Sequence, residues 1–169
     1  MTIRFTQVGE EHLGELLQIY DHYVLHSTAT FHEHRLTETE MRRLLFFENP
    51  RHQSFTIWEE APGSALIVGY CLIHRFHERE AYDGTGTISI YLKPGQTGKG
   101  YGSAAIRFLE DYARERQFHV LMAIICQENE ESVRLFERRG FTLCGHFKEV
   151  GRKFGRLLDV VYYQKVLEG

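Results

Sequence analysis

The chain is short of cysteine, of clustered positive charge and of long apolar runs. Its three cysteines, Cys71, Cys126 and Cys144, are odd in number and widely spaced, which excludes a disulfide framework. Each sits in an apolar, strand-like context and is expected to be a small core residue in a reducing compartment, so the expected location is cytoplasmic. Lys and Arg number 20 against 23 Asp and Glu, a net charge of −3. No basic run offers itself to nucleic acid or to an anionic membrane. No apolar stretch approaches the ~20 residues of a membrane helix, and the N-terminus lacks the basic-then-apolar order of a secretory signal. Ten histidines are present, but His32 and His34, near His26, lack a third ligand, so no metal site is expected. There is no linker, repeat or low-complexity tract, and 169 residues make one domain, 1–169, able to bury a core.

What is present is organised around Gly95-Gln96-Thr97-Gly98-Lys99-Gly100-Tyr101-Gly102-Ser103. Before it, Ile88, Ile90 and Leu92 alternate with Thr87, Ser89 and Tyr91, a strand period. After it, Ala105, Phe108, Leu109, Tyr112 and Ala113 keep a helix period. Strand, glycine-rich turn, helix aims several backbone N–H groups at one point, where the helix dipole adds about half a positive charge. A phosphate or pyrophosphate site is one reading; a plain tight turn with a satisfied helix start is the other. A P-loop is excluded, because Gly100 follows Lys99 and no glycine stands five residues before Gly98. A dinucleotide fingerprint fails as well, since its third glycine would fall at Ser103.

The remaining elements follow in order. Thr2 to Val8 reads as a strand, and Leu13, Leu16, Leu17, Tyr20 and Val24 mark a helix ending near Ser27. Thr37 and Glu40 form a capping-box pattern, and Met41, Leu44 and Leu45 give that helix its buried stripe. Gln53 to Glu59 and Ala65 to Phe76 are strands of a hairpin turned by Ala61-Pro62-Gly63-Ser64. The apolar run Val120 to Cys126 suits a strand buried on both faces. Asn129 is an N-cap for a helix that Gly140 closes. Two strands follow, roughly Phe141 to Val150 and Leu157 to Leu167. The order predicts an α/β chain with a mixed, mostly antiparallel sheet and helices on both faces.

Several of these pieces resemble the GCN5-related N-acetyltransferases (GNAT), and more closely their phosphinothricin acetyltransferase branch. They are Ile19 to Val24 with Ser27 to Phe31; Ala81-Tyr82 and Ser89-Ile90-Tyr91; Gly98 to Ser103; Asn129-x-x-Ser132; Glu137-x-x-Gly140-Phe141; and Val150-Gly151-x-Lys153-x-Gly155-Arg156-x-x-Asp159-Val160. Their order and spacing cover essentially the whole chain. The resemblance implies a GNAT fold of about seven strands with two central strands splayed apart. It implies acetyl-CoA as donor, a small-molecule primary amine as acceptor, and a homodimer. Thr97, Gly98, Lys99, Gly100, Tyr101, Gly102 and Ser103 would hold the pyrophosphate. Ile90, Tyr91 and Leu92, with Asn129 and Ser132, would hold the pantetheine arm. The Leu92 backbone N–H would polarise the thioester carbonyl, as an oxyanion donor does.

The acceptor side departs from the branch. Where the branch carries a glutamate, this chain has Thr87, which takes no proton near neutral pH. Glu33, His74, His77 and Glu78 are the substitutes considered, and a histidine has a suitable ordinary pKa; a water chain is another route. Phe136 replaces the tyrosine that many relatives use to protonate the thiolate. Thr97 stands where a Gln or Arg opens the loop, and His34-Arg35 replace a Glu-Pro pair. Phe31 and Tyr82 are expected to wall the acceptor pocket, with Glu33 beside them and Arg75 or Arg79 reading a carboxylate. Lys153 and Arg156 are further candidates. An amino-acid-like acceptor is expected; a protein N-terminus or lysine, and a non-catalytic CoA-binding sensor, are the alternatives.

Overall fold

A computed structural model describes residues 2–168. Eleven segments carry the architecture: β1 (Thr2–Gln7), α1 (Leu13–His26), α2 (Glu38–Leu45), β2 (Gln53–Ala61), β3 (Ser64–Arg75), β4 (Thr85–Leu92), α3 (Tyr101–Glu115), β5 (Val120–Cys126), α4 (Glu130–Arg138), β6 (Thr142–Lys153) and β7 (Arg156–Val166). The strands form one seven-stranded sheet in the order β1-β2-β3-β4-β5-β7-β6. Every neighbouring pair is antiparallel except β4 with β5. This is the mixed sheet that the element order predicts.

Alternation along the strands sends side chains to two separate cores. On one face Cys71, Ile73 and Ile88 meet Ala105, Ile106 and Leu109 of α3 and Phe136 of α4. On the other, Tyr70 and Leu72 meet Leu16, Ile19, Tyr20 and Val24 of α1 with Met41 and Leu45 of α2. The Thr37 hydroxyl accepts the Glu40 N–H at 3.2 Å while the Glu40 carboxylate accepts the Thr37 N–H at 3.2 Å, so the capping box forms as read. Asn129 caps α4 by accepting the Ser132 N–H at 3.3 Å, and Gly140 takes the left-handed conformation, φ 88°.

Three burial expectations are corrected. Cys144 is exposed, because β6 is the outer edge of the sheet and lacks a helix over that position. Ile124 is also exposed, because it lines a cavity beside β5 instead of packing into either core. Leu44 is exposed because it stands at the rim of a cavity beside α2. The last two corrections each mark a cavity, Ile124 one beside β5 and Leu44 one beside α2.

Candidate active site

The parallel pairing of β4 with β5 lasts only from Thr85 to Thr87 against Val120 to Met122. Beyond that point β4 continues to Leu92 and β5 to Cys126 without pairing to each other. The Lys93 N–H donates to the Val68 carbonyl at 2.8 Å. Strand alternation therefore turns the Tyr91 backbone toward β3 and the Ile90 and Leu92 backbones toward β5. The same alternation, fixed by the Val120 N–H donating to the Gly84 carbonyl at 3.1 Å, turns the Ile124 and Cys126 backbones toward β4. A pair of sheet edges thus faces one gap, and buried backbone amides there need partners from something other than the sheet.

A cavity of ≈170 Å³ occupies the gap, lined among others by Ile90, Leu92, Thr97, Gly102, Asn129 and Ser132. Gly98, Lys99, Gly100, Tyr101 and Ser103 belong to the turn and first helical turn that connect these. Gly98 and Gly100 have φ of 75° and 88°, and a Cβ on either would meet nothing within 4 Å. The Gly100 carbonyl accepts the Ala104 N–H at 3.1 Å, which starts the α3 ladder. The N–H groups of Gly102 and Ser103 stand ahead of that bond. α2 and α4 each have a side-chain cap, from Thr37 and Asn129, whereas α3 has none at Gly100. A 15-residue helix therefore starts at the cleft with no side-chain cap at Gly100, over a surface that glycine has cleared. These features fit a diphosphate at the helix start and an amide-bearing arm along the parted strands. Asn129 uses its carboxamide oxygen for capping, which leaves its NH2 group to donate into the cavity it lines.

Two members of the expected set contribute differently from their neighbours. The Tyr101 side chain is fully buried and its hydroxyl donates to Glu59, so only its backbone belongs to the turn. The Tyr91 ring lies on the opposite face of the sheet, 5.3 Å from the Tyr70 ring and 5.3 Å from the Tyr20 ring. Lys99 donates to Gln96 at 3.1 Å.

That opposite face carries a second cavity, of ≈330 Å³, between α1, α2 and the middle of β3 and β4. Ser89 and Tyr91 line both cavities, so the two spaces meet across β4. His74 lines the second cavity and lies directly opposite Thr87 in the β3–β4 register. Directly opposed side chains have Cβ atoms about 5 Å apart. Burial holds the His74 imidazole below its ordinary pKa, which keeps it neutral and able to accept a proton at pH 7. Its ring stacks on Phe47, with centroids 6.4 Å apart.

The other acceptor-side candidates are not brought into this cavity. Glu33, Arg75, Arg79 and Tyr82 line neither space. Arg75 donates to the Glu78 carbonyl at 3.1 Å, and Tyr82 packs on the rings of Phe76 and His77. Phe31 is seated against Gly151, where any Cβ would come within 2.3 Å of its ring. Lys153 is buried and donates to the carbonyls of Ser27 and Thr30 at 2.7 Å each, which ties the loop after α1 to the β6–β7 hairpin. Arg156 pairs twice with Glu128, at 2.7 and 3.0 Å, and Glu128 also accepts from Thr28 at 2.8 Å. Both basic residues thus brace the rim of the site. Among the described residues no group of three or more His, Cys, Asp or Glu is placed to hold a metal.

One more residue of the cleft between β4 and β5 has no role assigned to it from sequence. Tyr23 of α1 lines the cleft and donates its hydroxyl to the Leu92 carbonyl. Burial, and then the Glu131 carboxylate, raise its pKa and keep it protonated. The signal lay in helix spacing, since Tyr23 shares the inward face with Leu16, Tyr20 and Val24 yet carries a polar tip.

Comparison with known proteins agrees with this geometry. The model of the acetyltransferase (GNAT) family matches residues 16–141. A phosphinothricin N-acetyltransferase of Streptomyces coelicolor is 35% identical over 94% of this chain and 92% of its own length. An L-methionine sulfoximine/L-methionine sulfone acetyltransferase of Pseudomonas aeruginosa is 30% identical over 99% of this chain and 96% of its own. The crystal structure of a phosphinothricin acetyltransferase from Sinorhizobium meliloti in complex with acetyl-CoA superposes with a TM-score of 0.90. It is 30% identical and covers 99% of this chain and 89% of its own.

Proposed function

Because this chain belongs to the acetyltransferase (GNAT) family, we propose that it moves an acetyl group from acetyl-CoA to the primary amine of a small, amino-acid-like acceptor. The observation that carries this reading is the parting of β4 from β5 beside the uncapped, glycine-cleared start of α3. The diphosphate belongs on the amides from Gly98 to Ser103 and the pantetheine arm along Ile90 and Leu92, with Asn129 and Ser132 alongside. Acetyl-CoA, when bound, supplies an activated thioester carbonyl. The Leu92 N–H is the donor for the oxygen of that carbonyl, and Tyr23 steadies the same residue by holding its C=O. The acceptor amine enters from the cavity on the other face of β4. There His74 takes the ammonium proton, in place of the carboxylate that Thr87 does not provide. Release of free thiol from acetyl-CoA, followed across a panel of amino acids, tests the reading. Turnover with at least one of them supports it; tight CoA binding without release from any amine would make the chain a sensor instead.

The proposal extends to assembly and location. β6 is an outer strand of the sheet, and Leu143, Phe147 and Val150 on it are exposed, with Phe154 of the following turn and Leu157 of β7. An exposed apolar edge of this kind is covered in most proteins, and a second copy of the chain is the occupant the family resemblance implies. Sedimentation equilibrium is expected to give twice the 19.8 kDa chain mass, falling to one chain when Leu143→Glu and Val150→Glu are combined. A wild-type chain that sediments at 19.8 kDa removes the dimer. Three unbridged cysteines suit the reducing cytoplasm.

A further inference from the structure

From the lining of the second cavity we infer that the acceptor is an α-amino acid with an uncharged, apolar side chain, aromatic or large aliphatic, whose carboxylate is read by Arg43. This rests on the reading of that cavity as the acceptor site. Its walls are the rings of Tyr20, Phe47, Tyr70 and Tyr91 and the side chains of Leu45 and Leu72. Arg43 of α2 is the one ionised group among the lining residues, because His74 is held neutral by burial. It makes no hydrogen bond or ion pair among the described residues. Glu40, within its electrostatic reach, is engaged by Thr37.

Charge counting then selects the ligand. Before any proton moves, an amino acid presents its ammonium to neutral His74 and one negative charge, its carboxylate, which one guanidinium answers. A side-chain phosphinate or carboxylate brings a second negative charge, and no second cation lines the cavity to receive it. A lysine or arginine side chain brings a positive charge, and no carboxylate lines it either. An unpaired charge among aromatic walls is costly, whereas an apolar side chain gains from the same walls. The cavity volume, ≈330 Å³, falls at the low end of the range for small-ligand pockets.

Two measurements test this. Calorimetric titration of the CoA-saturated protein is expected to show binding of L-phenylalanine or L-leucine about a hundredfold tighter than of phosphinothricin, L-glutamate or L-lysine. Thiol-release kinetics are expected to rank them likewise. Arg43→Gln is expected to raise KM for L-phenylalanine about tenfold, with little change for phenethylamine, which lacks the carboxylate. The inference is overturned if phosphinothricin or a basic amino acid binds tighter than L-phenylalanine. It is overturned equally if Arg43→Gln weakens phenylalanine and phenethylamine alike. Either result leaves the acetyltransferase reading standing, because CoA binding and turnover of some amine would persist. If every amine in the panel fails to release thiol, the acetyltransferase reading itself falls.

Discussion

Replacing His74 with Gln is expected to lower kcat/KM about 10²- to 10⁴-fold, the range for loss of a positioned general base. CoA binding should be unchanged, because His74 lines only the acceptor cavity. The wild-type rate should fall on the acid side as His74 gains a proton. Burial lowers its pKa, so the inflection should lie below the ordinary imidazole value of about 6.5. His74→Gln should lose that inflection. Because position 87 lies opposite position 74, adding Thr87→Glu to His74→Gln should restore part of the rate, since a carboxylate would then reach the same space. A His74→Gln enzyme with wild-type kcat/KM and an intact acid limb would assign the proton to water. Stability carries a matching sign. His52 and His74 are both held below the ordinary value, mainly by burial, so the unfolded chain takes up protons first and stability should decline as pH drops below about 6.5.

The second large effect belongs to the turn before α3. Gly98→Val or Gly100→Val is expected to raise the Kd for CoA at least about a hundredfold. A side chain at either position would occupy the cleared approach to the amides and would resist φ of 75° or 88°. The backbone cost alone is about 1–2 kcal/mol. Gly63→Val separates the two contributions. Gly63 also has φ of 75° and open space around it, but it turns the β2–β3 hairpin. It should therefore destabilise comparably and leave CoA affinity intact. Equal loss of CoA affinity in all three variants would mean that general destabilisation, not the turn, is being measured.

Much of this site was legible in the chain because it is written in local signals. The run from Ile88 to Ser103 carries its strand period, its glycines and its helix period within a few residues of one another. Thr37 with Glu40, Asn129 and Gly140 announce helix ends by chemistry that acts over one turn. The acceptor cavity was not legible in the same way. His74 could be named as a candidate, but that it faces Thr87 depends on the register of two strands. Arg43 passed unnoticed because a solvated arginine and one at a cavity rim look alike on a helix. Glu33, Arg75, Arg79 and Tyr82 are candidates by residue type and by the loops the resemblance points to, and tertiary placement leaves them outside both cavities. The apolar run Val120 to Cys126 concealed the exposure of Ile124, because a strand that lines a gap and a strand buried on both faces share one pattern.

Everything turns on the opening between β4 and β5, and a crystal structure of the CoA complex examines it most directly. The coenzyme should lie in that opening, with its amides bonded to the backbones of Ile90 and Leu92 and its diphosphate on the N–H groups from Gly98 to Ser103. Coenzyme bound elsewhere, or β4 and β5 paired along their whole length in its presence, would contradict the assignment.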